Sequence, residues 1–383
     1  MENTDLKTLF KTYKEDELFG RYIHTAHIEP LLKKMPSNFK VDVIGQSVND
    51  ENIYSVTIGS GSKKVLMWSQ MHGNESTTTK ALFDLFNLLK DSSKLVDKIL
   101  SECTLKIIPI LNPDGAKAYT RVNANNVDLN RDAQSLSQPE SKVLRNCYNV
   151  FKPNYCFNLH GQRTIFSAGN HNKSAAVSFL SPAQDDNCTI TDNRKVSMSI
   201  IAKINKMLQN EIPQQIGVYD DSYNINCVGD TFQTLGIPTI LFEAGHYDKD
   251  YNREEVRRFI FQSYIVGLIT IAHGDYNIED FKFYLKIPEN EKRFFDIIIR
   301  NANVGDENLD IAIQYEERLT ENKIHFIPII KKIGNLKDFY AHNTLNANGN
   351  KVLSASNEML KIDSENDFVI VNNMKLSLII DNN

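Results

Sequence analysis

Four short apolar runs in this chain each break off in a small cluster of polar residues. They are KKVLMWSQ (63–70), LKIIPIL (105–111), NYCFNL (154–159) and PTILF (238–242). Runs this short and this apolar read as strands buried in a sheet. Helical segments lie between them. STTTKALFDLFNLLKDSS (76–93) spaces Leu82, Leu85, Phe86 and Leu89 as one helix face, with Ser76 or Thr77 placed to cap it. NRKVSMSIIAKINKMLQNEI (193–212) is a second such segment, and residues 6–35 are expected to be helical, with Pro30 and Pro36 marking the end. NIYSVTIG (52–59) alternates as a half-buried strand does. Buried strands alternating with helices predict an α/β fold, a central sheet with helices on both faces. In such folds ligands sit beyond the carboxyl ends of the strands. There this chain places His72-Gly73, Asn112-Pro-Asp-Gly115, His160-Gly161 and Glu243-Ala-Gly245.

Near residue 275 the texture changes to alternating, strand-like segments separated by Asn-rich turns (NANVGDEN, NTLNANGN). The expected organisation is a first domain over 1–275, including an N-terminal helical segment, and a smaller strand-rich domain over 276–383. With 43 basic and 48 acidic residues the net charge is −5, which argues against a nucleic-acid or anionic-membrane partner. The polar opening MENTDLKTLFKTYKEDELFG carries no signal-peptide core, and no apolar run is long enough to span a bilayer. The five scattered cysteines form no C-x-x-C pair and read as reduced core thiols, so a cytoplasmic location is expected.

The strand exits carry chemistry. A hydrolytic zinc takes three protein ligands, and two histidines with one carboxylate is one standard set. His72 and Glu75 can reach one ion from a single loop, and His160 ends a different strand as a distant third ligand. Arg121 and Arg131 flank Asn130 in an Asn-rich stretch, and a guanidinium fork clasps a carboxylate or an oxyanion. Glu243 ends an apolar strand, where a carboxylate is costly unless paired or used. It is a candidate general base, or else the partner of Arg253, Arg257 or Arg258.

In order along the chain, H-G-N-E, N-P-D-G, R-V-N-A-N-N-V-D-L-N-R, L-H-G and F-E resemble the zinc carboxypeptidases, the M14 peptidases, over about residues 40–270. The Arg-Asn-rich motif is most similar to the murein peptide amidase and cytosolic carboxypeptidase branches. The resemblance implies a carboxypeptidase-like mixed sheet in which His72, Glu75 and His160 bind Zn2+ and Glu243 is general base and acid. It further implies that Arg121 polarises the scissile carbonyl, while Asn130 and Arg131 hold the substrate's terminal carboxylate. The G-D run before Glu243 nominates Tyr223 as the family's mobile tyrosine, with Tyr219 as competitor.

Two positions depart from the digestive members: Asn74 stands where they carry an arginine, and Gly229 leaves the specificity position without charge. Arg163 is a candidate positive charge toward an acidic substrate. His24, His27 and His246 read mainly as packing residues. The implied activity is hydrolysis of a peptide bond next to a free carboxylate. An N-acyl amino acid deacylase of the succinylglutamate desuccinylase and aspartoacylase type is the alternative, and a non-catalytic zinc or peptide-binding protein is a third.

Overall fold

The computed structural model describes residues 5–305 and 307–380. They divide into two compact units, Met1–Gln162 with Ala175–Asn290, and Arg163–Ser174 with Glu291–Asn383. The first unit opens with α1 (Leu6–Tyr13), α2 (Thr25–Lys33), β1 (Lys40–Gln46), β2 (Asn52–Ile58), β3 (Lys63–Ser69) and α3 (Thr77–Leu89). Next come α4 (Lys94–Glu102), β4 (Cys103–Ile108), α5 (Pro113–Ala118), α6 (Pro139–Phe151) and β5 (Tyr155–Gly161). After a short strand of the second unit, β6 (Phe166–Ala168), follow β7 (Val177–Leu180), α7 (Asp192–Leu208), β8 (Ile216–Val218) and α8 (Val228–Thr234). The unit closes with β9 (Thr239–Ala244), α9 (Glu254–His273) and α10 (Phe281–Tyr284).

The sheet has eight strands in the order β1-β2-β4-β3-β5-β9-β7-β8. Its centre, β4-β3-β5-β9, is parallel, while β2 and β7 join it antiparallel, so the sheet is mixed. Successive side chains of a strand face opposite sides, and this alternation builds two cores. Val65, Met67, Phe157, Leu159, Ile240 and Phe242 enter a large core with the apolar faces of α3, α7 and α9. Leu66, Trp68 and Cys156 enter a smaller one with Leu144 and Cys147 of α6 and Val228 and Phe232 of α8. By the same alternation Asn158, His160 and Glu243 share the side of the smaller core.

Two expectations change in detail. The N-terminal 6–35 segment is two helices rather than one, because the chain turns between them through Gly20, whose φ of +72° a glycine adopts without a Cβ clash. Pro30 lies inside α2 rather than after it. In so short a helix its missing N–H forgoes one bond, and buried Ile28, Leu31 and Leu32 hold the segment down.

The border between the units falls after Asn290 and not near 275. The stretch beyond 275 stays with the first unit because Ser199 on α7 bonds the Ile278 carbonyl and the Tyr284 hydroxyl accepts from Ser181 N–H. The border lies within β10 (Asn290–Lys292), which pairs with β6 of the second unit. That unit continues with β11 (Phe294–Val304), β12 (Glu307–Thr320), β13 (Lys323–Gly334) and β14 (Tyr340–Asn346), a sheet ordered β13-β12-β11-β14. A three-stranded sheet of β15 (Val352–Leu353), β16 (Phe368–Val371) and β17 (Met374–Ser377) completes it. Ile297, Ile299, Ile313, Ile330 and Val369 fill its core.

In the first unit α3 and α9 are locked by a buried ion pair. Arg257 donates through Nε and Nη2 to the Asp84 carboxylate at 2.7 and 2.6 Å, and both side chains are 0% exposed. Removing Asp84 takes away the fully buried counter-charge and leaves the Arg257 guanidinium only the partly exposed Glu254. Asp84→Ala is therefore expected to lower unfolding stability by about 3–5 kcal/mol, measured by urea denaturation. A loss under about 1 kcal/mol would show that the pair is not anchoring the helices.

Candidate metal centre

The loop after β3 is shaped by groups far away in sequence. Asn112 accepts from Gly115 N–H, capping α5, and donates Nδ2–H to the Met71 carbonyl at 3.1 Å. Gln70 takes a left-handed φ of +44° and donates to the carbonyls of Ile23 and Gly73. A Cβ on Gly73 would sit 1.9 Å from the Gly115 carbonyl carbon, and one on Gly115 would sit 2.6 Å from the Val122 oxygen. The glycines of H-G-N-E and N-P-D-G are thus required by two successive close approaches, Gly73 to the Gly115 backbone and Gly115 to Val122. The turn closes with Glu75 N–H on the His72 carbonyl at 3.1 Å.

On this scaffold the ligand atoms of His72, Glu75 and His160 lie within 4.8 Å of one another. His72 Nδ1 is 2.9 Å from Glu75 Oε1, His160 Nδ1 is 3.1 Å from Glu75 Oε2, and the two Nδ1 atoms are 3.1 Å apart. Both rings are 2% exposed. Gly161 N–H steadies Glu75 Oε2 at 2.9 Å. Behind His72, Nε2 meets Asp128 Oδ1 at 3.1 Å, and Asp128 also accepts from Asn130 N–H and Arg121 Nε. Burial alone would raise the Asp128 carboxyl, but His72 and Arg121 override it and hold the group well below its ordinary range. Glu75 is likewise held far down, against burial, by the two imidazoles.

These proton preferences test the fit to a metal. An ionised Asp128 can only accept, so His72 Nε2 carries a proton and a neutral ring turns its Nδ1 lone pair toward Glu75 and His160. Two imidazole nitrogens and a carboxylate then converge with no positive charge among them. Burial pushes His72 down, yet the Glu75 charge and the Asp128 bond overcome it and raise the ring. Burial keeps His160 lowered despite Glu75. A cation at the convergence point answers both demands, the donor set suits zinc, and the Asp128–His72 contact is the outer support such ligands carry. Asp128 inside D-L-N-R and Asn112 inside N-P-D-G are functional residues without a local sequence signal, since their partners His72 and Met71 lie far away in the chain.

Glu243 pairs with His160 across β5 and β9, so both side chains leave the same face of the sheet. Its Oε2 is buried with no hydrogen-bond partner among the described residues. Burial first, and the Glu75 charge second, push its carboxyl well above the ordinary range, with Arg121 offsetting only part. Of the arginines weighed as its partner, Arg257 serves Asp84 and Glu254, and Arg258 serves Glu211 and Glu255. Arg253 donates to two backbone carbonyls.

Exposed Arg121 bridges Asp128 and, at 3.5 Å, Glu75. Asn130 and Arg131 follow Asp128 on a 3-10 turn, Leu129–Arg131, with the Asn130 amide oxygen accepting Val228 N–H at 3.0 Å. The surrounding asparagines serve the loop, as Asn123 does by accepting from the N–H groups of 125 and 127. Tyr223 stands apart from this network, its hydroxyl 3.1 Å from Thr234 Oγ1. The Tyr219 hydroxyl is bound to Gln162 Oε1 at 2.8 Å. Arg163 belongs to the second unit. His24 and His27 pack with Tyr22 at the start of α2, and His246 packs on Tyr251.

A histidine–glutamate–histidine centre at the exits of a mixed α/β sheet defines a mononuclear metal-site protein. A family profile described as zinc carboxypeptidase (peptidase M14) matches residues 24–229, more than half of the chain, and the chain belongs to that family. It is 29% identical over 101 residues to carboxypeptidase 2 of Trichophyton rubrum, covering 26% of this chain and 19% of that protein. To carboxypeptidase SOL1 of Arabidopsis thaliana it is 31% identical over 137 residues, covering 31% of this chain and 28% of that protein. It therefore spans under a third of the length of these curated relatives. In fold it is similar to a metallo-carboxypeptidase from Burkholderia cenocepacia, with a TM-score of 0.53 at 17% identity, covering 65% of this chain and 68% of that one. Bovine thrombin-activatable fibrinolysis inhibitor gives a TM-score of 0.53 at 14% identity, covering 69% of this chain and 98% of that one.

His72→Ala removes one ligand and the link to Asp128. Zinc per chain after dialysis, read by mass spectrometry of the metal, is expected to fall below about one-tenth of the wild-type value. Undiminished zinc would remove His72 from the ligand set.

Asp230, in the G-D run, supplies a pH signature. It is buried, accepts from Asn224 N–H, and burial pushes its carboxyl from 3.8 up to about 6, with Arg131 and Arg194 offsetting only part. The folded chain holds this proton more tightly than the unfolded one, so the contribution to stability falls as pH rises between those two values. Asp230→Asn has no such titration. Its stability relative to wild type is expected to improve by roughly 1–3 kcal/mol from pH 3.5 to pH 7, measured by parallel urea curves; a pH-independent difference would refute the shift.

Proposed function

We propose that this protein is a zinc-dependent metallocarboxypeptidase that hydrolyses the amide bond next to a free carboxylate. The observation that carries this reading is Glu243, a proton-seeking carboxylate across one strand pair from His160, whose buried Oε2 has no hydrogen-bond partner among the described residues. A site that only binds metal has no use for it. His72, Glu75 and His160 would hold the zinc, whose contribution when bound is Lewis acidity toward water and the scissile carbonyl.

Glu243 takes the proton of the attacking water and later delivers it to the leaving amine. Its raised proton affinity suits both halves of that exchange. Arg121, exposed and oriented by Asp128, offers its guanidinium to the oxyanion that develops on the carbonyl. Asn130 and Arg131 hold the terminal carboxylate, and Tyr223 closes over the substrate from its position on Thr234. R-V-N-A-N-N-V-D-L-N-R supports a place near the murein peptide amidase and cytosolic carboxypeptidase branches. A cytoplasmic site of action belongs to the same reading, supported by the unpaired state of Cys103, Cys147, Cys156, Cys188 and Cys227.

Zinc-loaded protein incubated with a mixed library of peptides and N-acyl amino acids, with products identified by mass spectrometry, tests the reaction. Loss of C-terminal residues from peptides is expected. Release of acyl groups alone would assign the chain to the N-acyl amino acid deacylase alternative. Glu243→Gln is expected to lower kcat by about 10²–10⁴-fold while zinc stays at the wild-type level. Hydrolysis undiminished in this variant would overturn the assignment of the base.

A further inference from the structure

Beyond Glu243 and His160 the strands that carry them part company. The ladder ends with Gln162 N–H on the Ala244 carbonyl at 2.9 Å, after which Gly245 N–H turns to the Ala176 carbonyl on the far side of β9. Strand ends fray where the ladder stops, and here the last rungs lie one or two residues from a zinc ligand and from the base. One side chain closes this gap. Arg253 donates Nη1–H to the Ala244 carbonyl and Nη2–H to the Gln162 carbonyl, both at 3.1 Å, and is 1% exposed.

We propose that Arg253 is a positioning residue for the hydrolysis, its guanidinium fork fixing the spacing of His160 and Glu243 by bridging carbonyls at the exits of their strands. The inference rests on the proposed reaction, since it assigns Arg253 an effect on that chemistry.

Three observations favour this over a role as packing. Arg253 holds a left-handed φ of +59° ahead of α9, a conformation that disfavours any residue with a Cβ and that glycine or asparagine takes more readily. The backbone at this position therefore does not call for arginine; the side chain does. A buried guanidinium also needs hydrogen-bond partners. The fork itself is spent on two neutral carbonyls from different strands, a planar two-point contact that a lysine ammonium cannot reproduce. Finally, the ground around the clamp leaves no slack. A Cβ on Gly245 would lie 2.0 Å from the Ala175 oxygen and 2.4 Å from Gln162 Nε2, so the exits of β9 and β5 are packed to contact.

The test compares wild type with Arg253→Met, which keeps the bulk without the fork, and Arg253→Lys, which keeps the charge. All are full-length and zinc-loaded. Three quantities are read: kcat and KM on a peptide the wild type cuts, zinc per chain, and amide hydrogen exchange at Gln162 and Gly245. In Arg253→Met, kcat is expected to fall about 30–300-fold with KM within about threefold and zinc unchanged, since a displacement of about 1 Å costs about 10²-fold. Exchange at Gln162 and Gly245 rises at least about tenfold while that of α3 is unchanged, and Arg253→Lys falls between the two proteins.

A kcat within about threefold of wild type in the methionine variant, or a loss that only tracks lost zinc or lost folded protein, overturns the proposal. If the methionine variant does not fold, an Arg253→Lys variant that folds and turns over at the wild-type rate overturns it equally. A wild-type protein that cuts no peptide overturns the proposed reaction instead, and the exchange comparison still reads the clamp by itself.

Discussion

The register of β5 against β9 is the constraint on which the site depends. His160 and Glu243 face each other as a strand pair, and their neighbours Leu159 and Phe242 point the other way into the larger core. A slip of one residue in either strand would exchange these faces, driving an imidazole or a carboxylate into a region lined by α3, α7 and α9. The apolar residues before each exit thus do two things at once. They supply the burial that holds the sheet, and they make any other register expensive, so the polar groups emerge at one end of the thinner face.

That face concentrates charge of one sign. Glu75, Asp128 and Glu243 gather around two imidazoles, with Arg121 as the cation that bridges two of them. The deficit is expressed in the proton preferences: His72 is raised and Glu243 strongly so. A divalent cation among the three ligands supplies the missing positive charge and replaces the proton that His72 otherwise draws. Asp128 ties this balance to the substrate side, because one carboxylate orients both a ligand and Arg121.

Much of this was legible in the sequence, and the reasons are local. The runs at 63–70, 154–159 and 238–242 are apolar enough to be read as buried strands, and the residues ending them are the ones that meet in space. The order of the motifs added what spacing alone left open, that His160 joins His72 and Glu75. What escaped the reading depends on contacts distant in sequence. Asp128 looks like any aspartate in a turn until His72 is placed behind it, and Asn112 looks like a loop residue until its amide is seen to hold Met71. Arg253 has the charge of an ion-pair partner for Glu243, and its bonds to two strand ends leave no local pattern. The border at 275 was drawn from a change of texture, but Ile278 and Tyr284 are kept by α7, which a composition boundary does not register.

The twelve residues 163–174 carry a further consequence. They follow the strand of His160 directly, yet they belong with the C-terminal unit, where β6 pairs with β10 and Thr164 accepts from Gln314 and, through its carbonyl, meets His342. The two units are therefore not separable by a single cut. A chain shortened at 290 would keep a segment whose partners had been discarded, only a few residues from a metal ligand. Modular loss or exchange of the C-terminal part, easy for domains strung end to end, is here obstructed by the path of the backbone itself.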